Sequence, residues 1–219
     1  MSGDAELHQH PHPVGFNLMT IAVGVVLLGV GAAYLIDAAQ RAENNRDDSE
    51  LVLTRSLGGH DLQIPARWFR YEEEATEGFA KQIDLRFELP LGVQGKGEAV
   101  DVTLLPRSRV RPSAALLDGV YLHQFEDGQL DGGPVGLVGK PLKPVEGYEG
   151  EVVWYDALAS DPFVAKCSKP VATGEGQCLR TVYLAPGIAA IYAFPEGALS
   201  GWRVFDGEMG KRLREIGAL

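Results

Sequence analysis

From Phe16 to Ile36 the chain reads FNLMTIAVGVVLLGVGAAYLI, 21 residues without a charge. As an α-helix this stretch reaches about 31 Å, close to the ~30 Å hydrocarbon core of a bilayer. It is apolar on every face, which suits spanning better than lying in the interface. Tyr34 sits where an aromatic ring meets headgroups, and Asp37 marks the exit. The pattern predicts a transmembrane helix over 16–37, a tail over 1–15 and a polar stalk over 38–50. A cleaved signal peptide needs a basic start, a shorter apolar run and a small-residue site after it. Residues 1–15 carry no Lys or Arg, and Gly31-Ala32-Ala33 lies inside the apolar run.

Beyond residue 50 the pattern changes to short alternating segments. Leu51–Thr54 is extended by pattern, the Gly58-Gly59 pair signals a turn, and Leu62, Ile64 and Trp68 lead a second extended run ending near Arg70. Glu72–Gly78 is too acidic for a core element and reads as an exposed connection. Ile83, Leu85, Phe87 and Leu89 then alternate with Asp84, Arg86 and Glu88, a period of two without interruption. Val100, Val102 and Leu104 repeat it. Ser113 is placed to cap a short helix carrying Leu117, Val120, Tyr121 and Phe125. The glycine-rich stretch 126–150 predicts loop with one short strand at 136–142. Glu151–Tyr155, Pro162–Cys167, Cys178–Leu184 and Ile188–Phe194 read as strands. Pro195 opens a last helix with Leu199, Trp202, Phe205, Met209, Leu213 and Ile216 on its apolar side; Arg203, Glu208, Lys211, Arg212 and Arg214 mark the wet side. The expected architecture is α+β: an N-terminal transmembrane helix, then one mainly antiparallel β domain over 51–219 with a short internal helix and a C-terminal amphipathic helix.

Composition narrows the function classes. The formal net charge is −10, with 20 Lys plus Arg against 30 Asp plus Glu. An acidic chain with no basic run repels phosphate backbones, so nucleic acid is not an expected partner. Two cysteines are too few for a Cys-only zinc site or an iron–sulfur centre. His8, His10 and His12 could chelate a borderline metal, but on a Pro-broken tail they read as solvated, so no metal or cofactor is expected. There is no Gly-x-Ser-x-Gly elbow, Walker loop or dinucleotide fingerprint. Gly92–Gly97 has the wrong spacing for a phosphate cradle. Outside the tail only His60 and His123 remain, with no nucleophile placed beside them, so a non-catalytic role is expected.

Cys167 ends one extended run and Cys178 opens the next, separated by the turn-rich SKPVATGEGQ. Paired as a hairpin they could form a disulfide worth about 3 kcal/mol; the alternative is two unrelated buried thiols. The two indications of orientation disagree. Arg41, Arg46 and Arg55 follow the apolar run and no basic residue precedes it, which alone places the large domain in the cytoplasm. A disulfide persists in oxidising compartments and places it outside. The expected arrangement is a single-pass bacterial inner-membrane protein with a cytoplasmic tail and a periplasmic domain.

Three features bear on partners. Ala22, Gly29 and Ala33 share one helical face of the apolar run, small enough for another helix to approach. Arg107, Arg109 and Arg111 alternate between Pro106 and Pro112; in an extended chain they share a face for an anion or acidic partner, or they belong to an edge strand or loop whose charges balance an otherwise acidic surface. Alternation sends Trp68 and Arg70 one way, Phe69 and Tyr71 the other, with one aromatic side in the core. The pattern Leu62-x-Ile64-Pro65, Trp68-Phe69-Arg70 and an alternating strand, with the region from Phe163 to Cys178, resembles uncharacterised single-span envelope proteins of alphaproteobacteria. That resemblance implies an envelope location and brings no activity or binding residues with it. The expected role is an accessory or interaction subunit whose partners are the lipid bilayer and an integral membrane protein complex. The alternatives are an extracytoplasmic sensor of an anionic solute through the arginines, or a hydrolase with dispersed site residues.

Overall fold

The computed structural model describes residues 23, 24, 27, 29–36, 51–128, 133–144, 150–168, 176–184 and 187–219. The chain divides into two compact units, Met1–Ser49 and Glu50–Leu219. In the first, every described residue is helical, and Leu27, Val30, Tyr34, Leu35 and Ile36 are exposed. Among the described residues no helix is long and apolar enough to cross a membrane. Most of the expected span, the histidine tail, the stalk and Ala22 lie outside the described residues. Gly29 and Ala33 are exposed on the helix, and a Cβ at Gly29 would meet nothing within 4 Å.

The second unit is α+β. It opens with the hairpin β1 (Val52–Leu57) and β2 (His60–Pro65), turned by Gly58 and Gly59 at φ 61° and 87°. Only glycine adopts two successive left-handed residues cheaply, so this dipeptide sets the register. The two-residue β3 (Gly78–Phe79) pairs parallel to β1, giving a three-stranded sheet in the order β2-β1-β3. The hairpin is legible in the sequence pattern, whereas β3 and the separation of this sheet from the main one are not.

The main sheet holds seven strands in the order β4-β5-β10-β9-β8-β7-β6, each neighbour antiparallel. β4 (Ile83–Leu89) and β5 (Glu98–Pro106) form a hairpin at one edge. The chain then crosses one face through α1 (Ser113–Gly119) and returns strand by strand as β6 (Val138–Pro141), β7 (Glu151–Tyr155), β8 (Val164–Ser168), β9 (Gln177–Tyr183) and β10 (Ile188–Pro195). The last strand lands beside β5. Helix α2 (Trp202–Glu215) closes the chain.

Two-residue periodicity explains the layers. Ile83, Leu85, Phe87, Leu89, Val100, Val102, Leu104, Ile188, Tyr192 and Phe194 share one main core with the inward residues of β1 and β2, with Phe205, Met209 and Leu213 of α2, and with Ile216 just after it. A smaller cluster on the opposite face packs Leu117 of α1 onto Val153 and Val164. Gly139 on β6 lies directly opposite Trp154, and a Cβ there would fall 2.4 Å from the indole. The glycine leaves the space that the ring occupies.

Three local expectations are corrected. The run after β2 is not extended to Arg70: Pro65 ends the strand, Ala66–Trp68 turns as a 3-10 helix, and Trp68 and Phe69 are both buried while Arg70 and Tyr71 are exposed. The three-residue turn replaces the two-residue alternation. Ser113 is not the cap of α1; Pro112 holds that position, and Ser113 Oγ instead accepts the Thr181 N–H at 2.9 Å. The last helix does not start at Pro195 but at Trp202, after a 3-10 segment over Glu196–Gly201. Ser200 ties that segment to the carbonyl of Leu91 at 2.9 Å.

Tyr192 is 2% exposed, and burial pushes its phenol well above the ordinary tyrosine range. Its contribution to stability is complete below the unfolded tyrosine value of about 10 and is lost as pH rises toward the folded value, at up to ~1.4 kcal/mol per pH unit. Urea unfolding from about pH 8 to pH 11 should therefore fall less steeply for Tyr192→Phe than for the parent. Identical slopes would refute the assignment.

Candidate functional site

The chemistry-bearing groups gather where β8 and β9 part. The two strands pair at Lys166–Leu179, Cys167–Cys178 and Ser168–Gln177. The cysteines face each other and are joined as a disulfide. Both are buried in the main core. Hairpin pairing places them together, as the spacing of the two runs indicates.

Beyond Lys166 the ladder stops. Pro162 has no N–H to offer a neighbouring strand, and the carbonyl of Val164 is taken by Arg180 Nη1 at 3.3 Å. Thr181 turns its N–H to Ser113 of α1. The result is a cleft of about 230 Å³ within the sheet, lined by Pro112, Ala114, Asp161, Pro162 and the β9 residues Arg180–Tyr183.

Arg180 is the residue that the sequence reading missed. It occupies the inward parity of β9, between Cys178 and Val182, where a charge requires a partner. That parity was the available signal. Its side chain is 8% exposed and makes a two-pronged pair with Asp206 of α2, Nε to Oδ1 at 3.2 Å and Nη2 to Oδ2 at 2.8 Å. The guanidinium also lies 4.5 Å from the Phe163 ring centre. Its charge is committed to joining helix and sheet.

The arginine run adjoins this cleft through Arg107, which contacts Tyr183, and through Arg111, which precedes Pro112, but not as a flat ladder. Arg107–Arg109 is a 3-10 turn, and only Val110 to Pro112 is extended, so the three side chains do not share one strand face. The turn forms because β5 ends at Pro106 and the Arg107 N–H is taken by Gly187 at 2.8 Å. Arg107 stacks on Tyr183, its guanidinium carbon 3.9 Å from the ring centre, and the Tyr183 hydroxyl donates to the Val110 carbonyl at 3.0 Å. Arg109 and Arg111 are exposed. None of the three lines the cleft, though Tyr183 and Pro112, their immediate contacts in space and chain, do. No ion pair engages any of them among the described residues.

Elsewhere the open face of β4 and β5 carries its own charge network. Arg86 and Arg70 converge on Asp101 at 2.6 and 3.3 Å, and hydrogen bonding to Asp101 holds the Arg86 guanidinium firmly protonated. His60 sits on β2 and His123 in a 3-10 turn after α1. Among the described residues no group of three or more His, Cys, Asp and Glu side chains could hold a metal. No known family, curated protein or solved structure matches the chain.

Proposed function

We propose that this chain is a single-pass protein of a bacterial inner membrane, with residues 16–37 spanning the bilayer and residues 51–219 exported. The exported domain docks, without catalysis, onto an integral membrane complex. The observation that carries the reading is the Cys167–Cys178 disulfide, since such bonds persist outside the reducing cytoplasm. Two further observations support it. The described helical residues before the domain expose Leu27, Val30, Leu35 and Ile36, apolar surface that lipid or another helix would cover. At the cleft, Ser113, Arg180 and Tyr183 are engaged in holding α1, α2 and the arginine turn in place, which suits recognition better than bond-breaking.

A membrane-impermeant maleimide applied to spheroplasts tests the export. Cys167 and Cys178 are buried even when reduced, so the reporter is Leu158→Cys at an exposed turn, and its labelling in unopened spheroplasts is the expected result. Labelling only after lysis would place the domain in the cytoplasm and end the proposal. Docking is tested on the same preparations, by cross-linking and co-purification of the full chain with a defined membrane partner.

A further inference from the structure

We infer that the β8–β9 cleft is a strand-addition site for an extended acidic segment of the docking partner, an inference that rests on the docking reading. The backbone geometry is the first ground. Along β9, even-numbered residues direct their backbone groups toward β10: Gly176 O accepts from Glu196 at 2.8 Å just before the strand, and Leu184 N donates to Ile188 at 3.1 Å just after it. Odd-numbered residues therefore face β8. Pairing to β8 ends at Leu179, so the Thr181 carbonyl and the Tyr183 N–H and carbonyl face the cleft. These are groups an incoming extended chain would use, and they lie beside an opening of about 230 Å³.

Charge is the second ground. The molecule as a whole carries −10, yet Arg107, Arg109 and Arg111 are exposed on the segment that adjoins the cleft through Tyr183 and Pro112, and they form no ion pair among the described residues. Tyr183 holds the turn that carries them, through its hydroxyl and through its ring under Arg107. A segment entering along β9 would pass these arginines. Carboxylate side chains on it would be drawn in, while cationic ones would be repelled. Asp161 on the cleft wall is one carboxylate against three arginines.

The test uses the full chain, oxidised, in detergent micelles. Its probe is a fluorescein-labelled peptide of alternating Glu and Val, read by fluorescence anisotropy. Saturable binding is expected for this peptide. Binding should weaken by about tenfold or more on replacing Glu with Lys in the peptide, or on methylating its alternate backbone nitrogens. The same loss is expected from Ala114→Trp, which fills the cleft, and from Arg109→Glu/Arg111→Glu on the adjoining segment. The arginine variant should keep the parent's thermal midpoint, whereas Ala114→Trp, which also presses on the Leu117 cluster, is read only at temperatures where its own unfolding curve shows it folded. Slowed hydrogen exchange at the Tyr183 amide should accompany binding.

No saturable binding up to about 1 mM would overturn the inference. So would binding that is indifferent to backbone methylation and to Ala114→Trp, because that is adsorption to the arginines alone. Competition by free glutamate at equal concentration would make it a small-anion site instead. Should Ala114→Trp abolish peptide binding while co-purification with the membrane partner persists unchanged, the cleft is not the docking element and the docking reading stands without it.

Discussion

Phe205→Ala should destabilise the domain by about 4 kcal/mol, the largest single-residue loss expected anywhere in it. Phe205 is fully buried, with ring centres of Phe194, Tyr192 and Phe163 at 4.8, 5.7 and 5.8 Å. Those partners come from β10 and from the residue before β8, so the ring joins the helix to two separate strands. Truncation removes its transfer free energy and leaves a cavity that three fixed rings cannot collapse to fill. The next residue, Asp206, carries the pair to Arg180, so a helix that shifts to fill the void also strains that pair. Urea unfolding should show a lower midpoint at unchanged slope, with Phe205→Leu intermediate. A loss below about 1.5 kcal/mol would mean that α2 is not anchored through this ring.

The second large effect is at the disulfide. Cys167 and Cys178 are 11 residues apart, and removing the bridge frees the unfolded chain by about 3 kcal/mol on the chain-entropy estimate. For a domain of this size that is roughly 10 °C in Tm. The pair Cys167→Ala/Cys178→Ala should lose somewhat more than reduction of the parent, since it also removes two buried sulfurs from the core. The bridge also fixes the last paired residues before the strands part. Loosening it should therefore speed exchange at Thr181, whose N–H depends on Ser113 rather than on a neighbouring strand. An unchanged midpoint on full reduction would show that the short β8–β9 ladder needs no covalent support.

Where one face of an element is buried and the other wet, its side chains reported their surroundings in the sequence. β4 is the clearest case: Ile83, Leu85, Phe87 and Leu89 are all buried, and the residues between them are not. Gly58-Gly59 announced its turn because few other residues tolerate that backbone. The spacing of Phe205, Met209 and Leu213 on α2, continued by Ile216 at its cap, marked the face that entered the core. The hairpin carrying both cysteines was legible for the same local reason, two extended runs around a turn-rich segment.

The readings that failed lay where a local pattern competes with partners far away in the chain. The alternating arginines suggested a strand, yet a hydrogen bond from Arg107 to Gly187, eighty residues distant, made their first half a 3-10 turn. Ser113 looked like a helix cap, and was taken instead by the amide of Thr181. Trp68 and Phe69 are adjacent and both buried because a turn, not a strand, presents them.

The sequence by itself determined the elements whose hydrophobic period or turn chemistry is local, together with the acidic charge, the uncharged stretch before the domain and the two cysteines. Only the tertiary structure decided that β10 lies beside β5, that Arg180 meets Asp206, and that β8 leaves β9 early enough to open a cleft. Period and propensity act between residues a few positions apart. Strand order, buried ion pairs and gaps in a sheet arise between residues brought together by packing, and no local spacing encodes them.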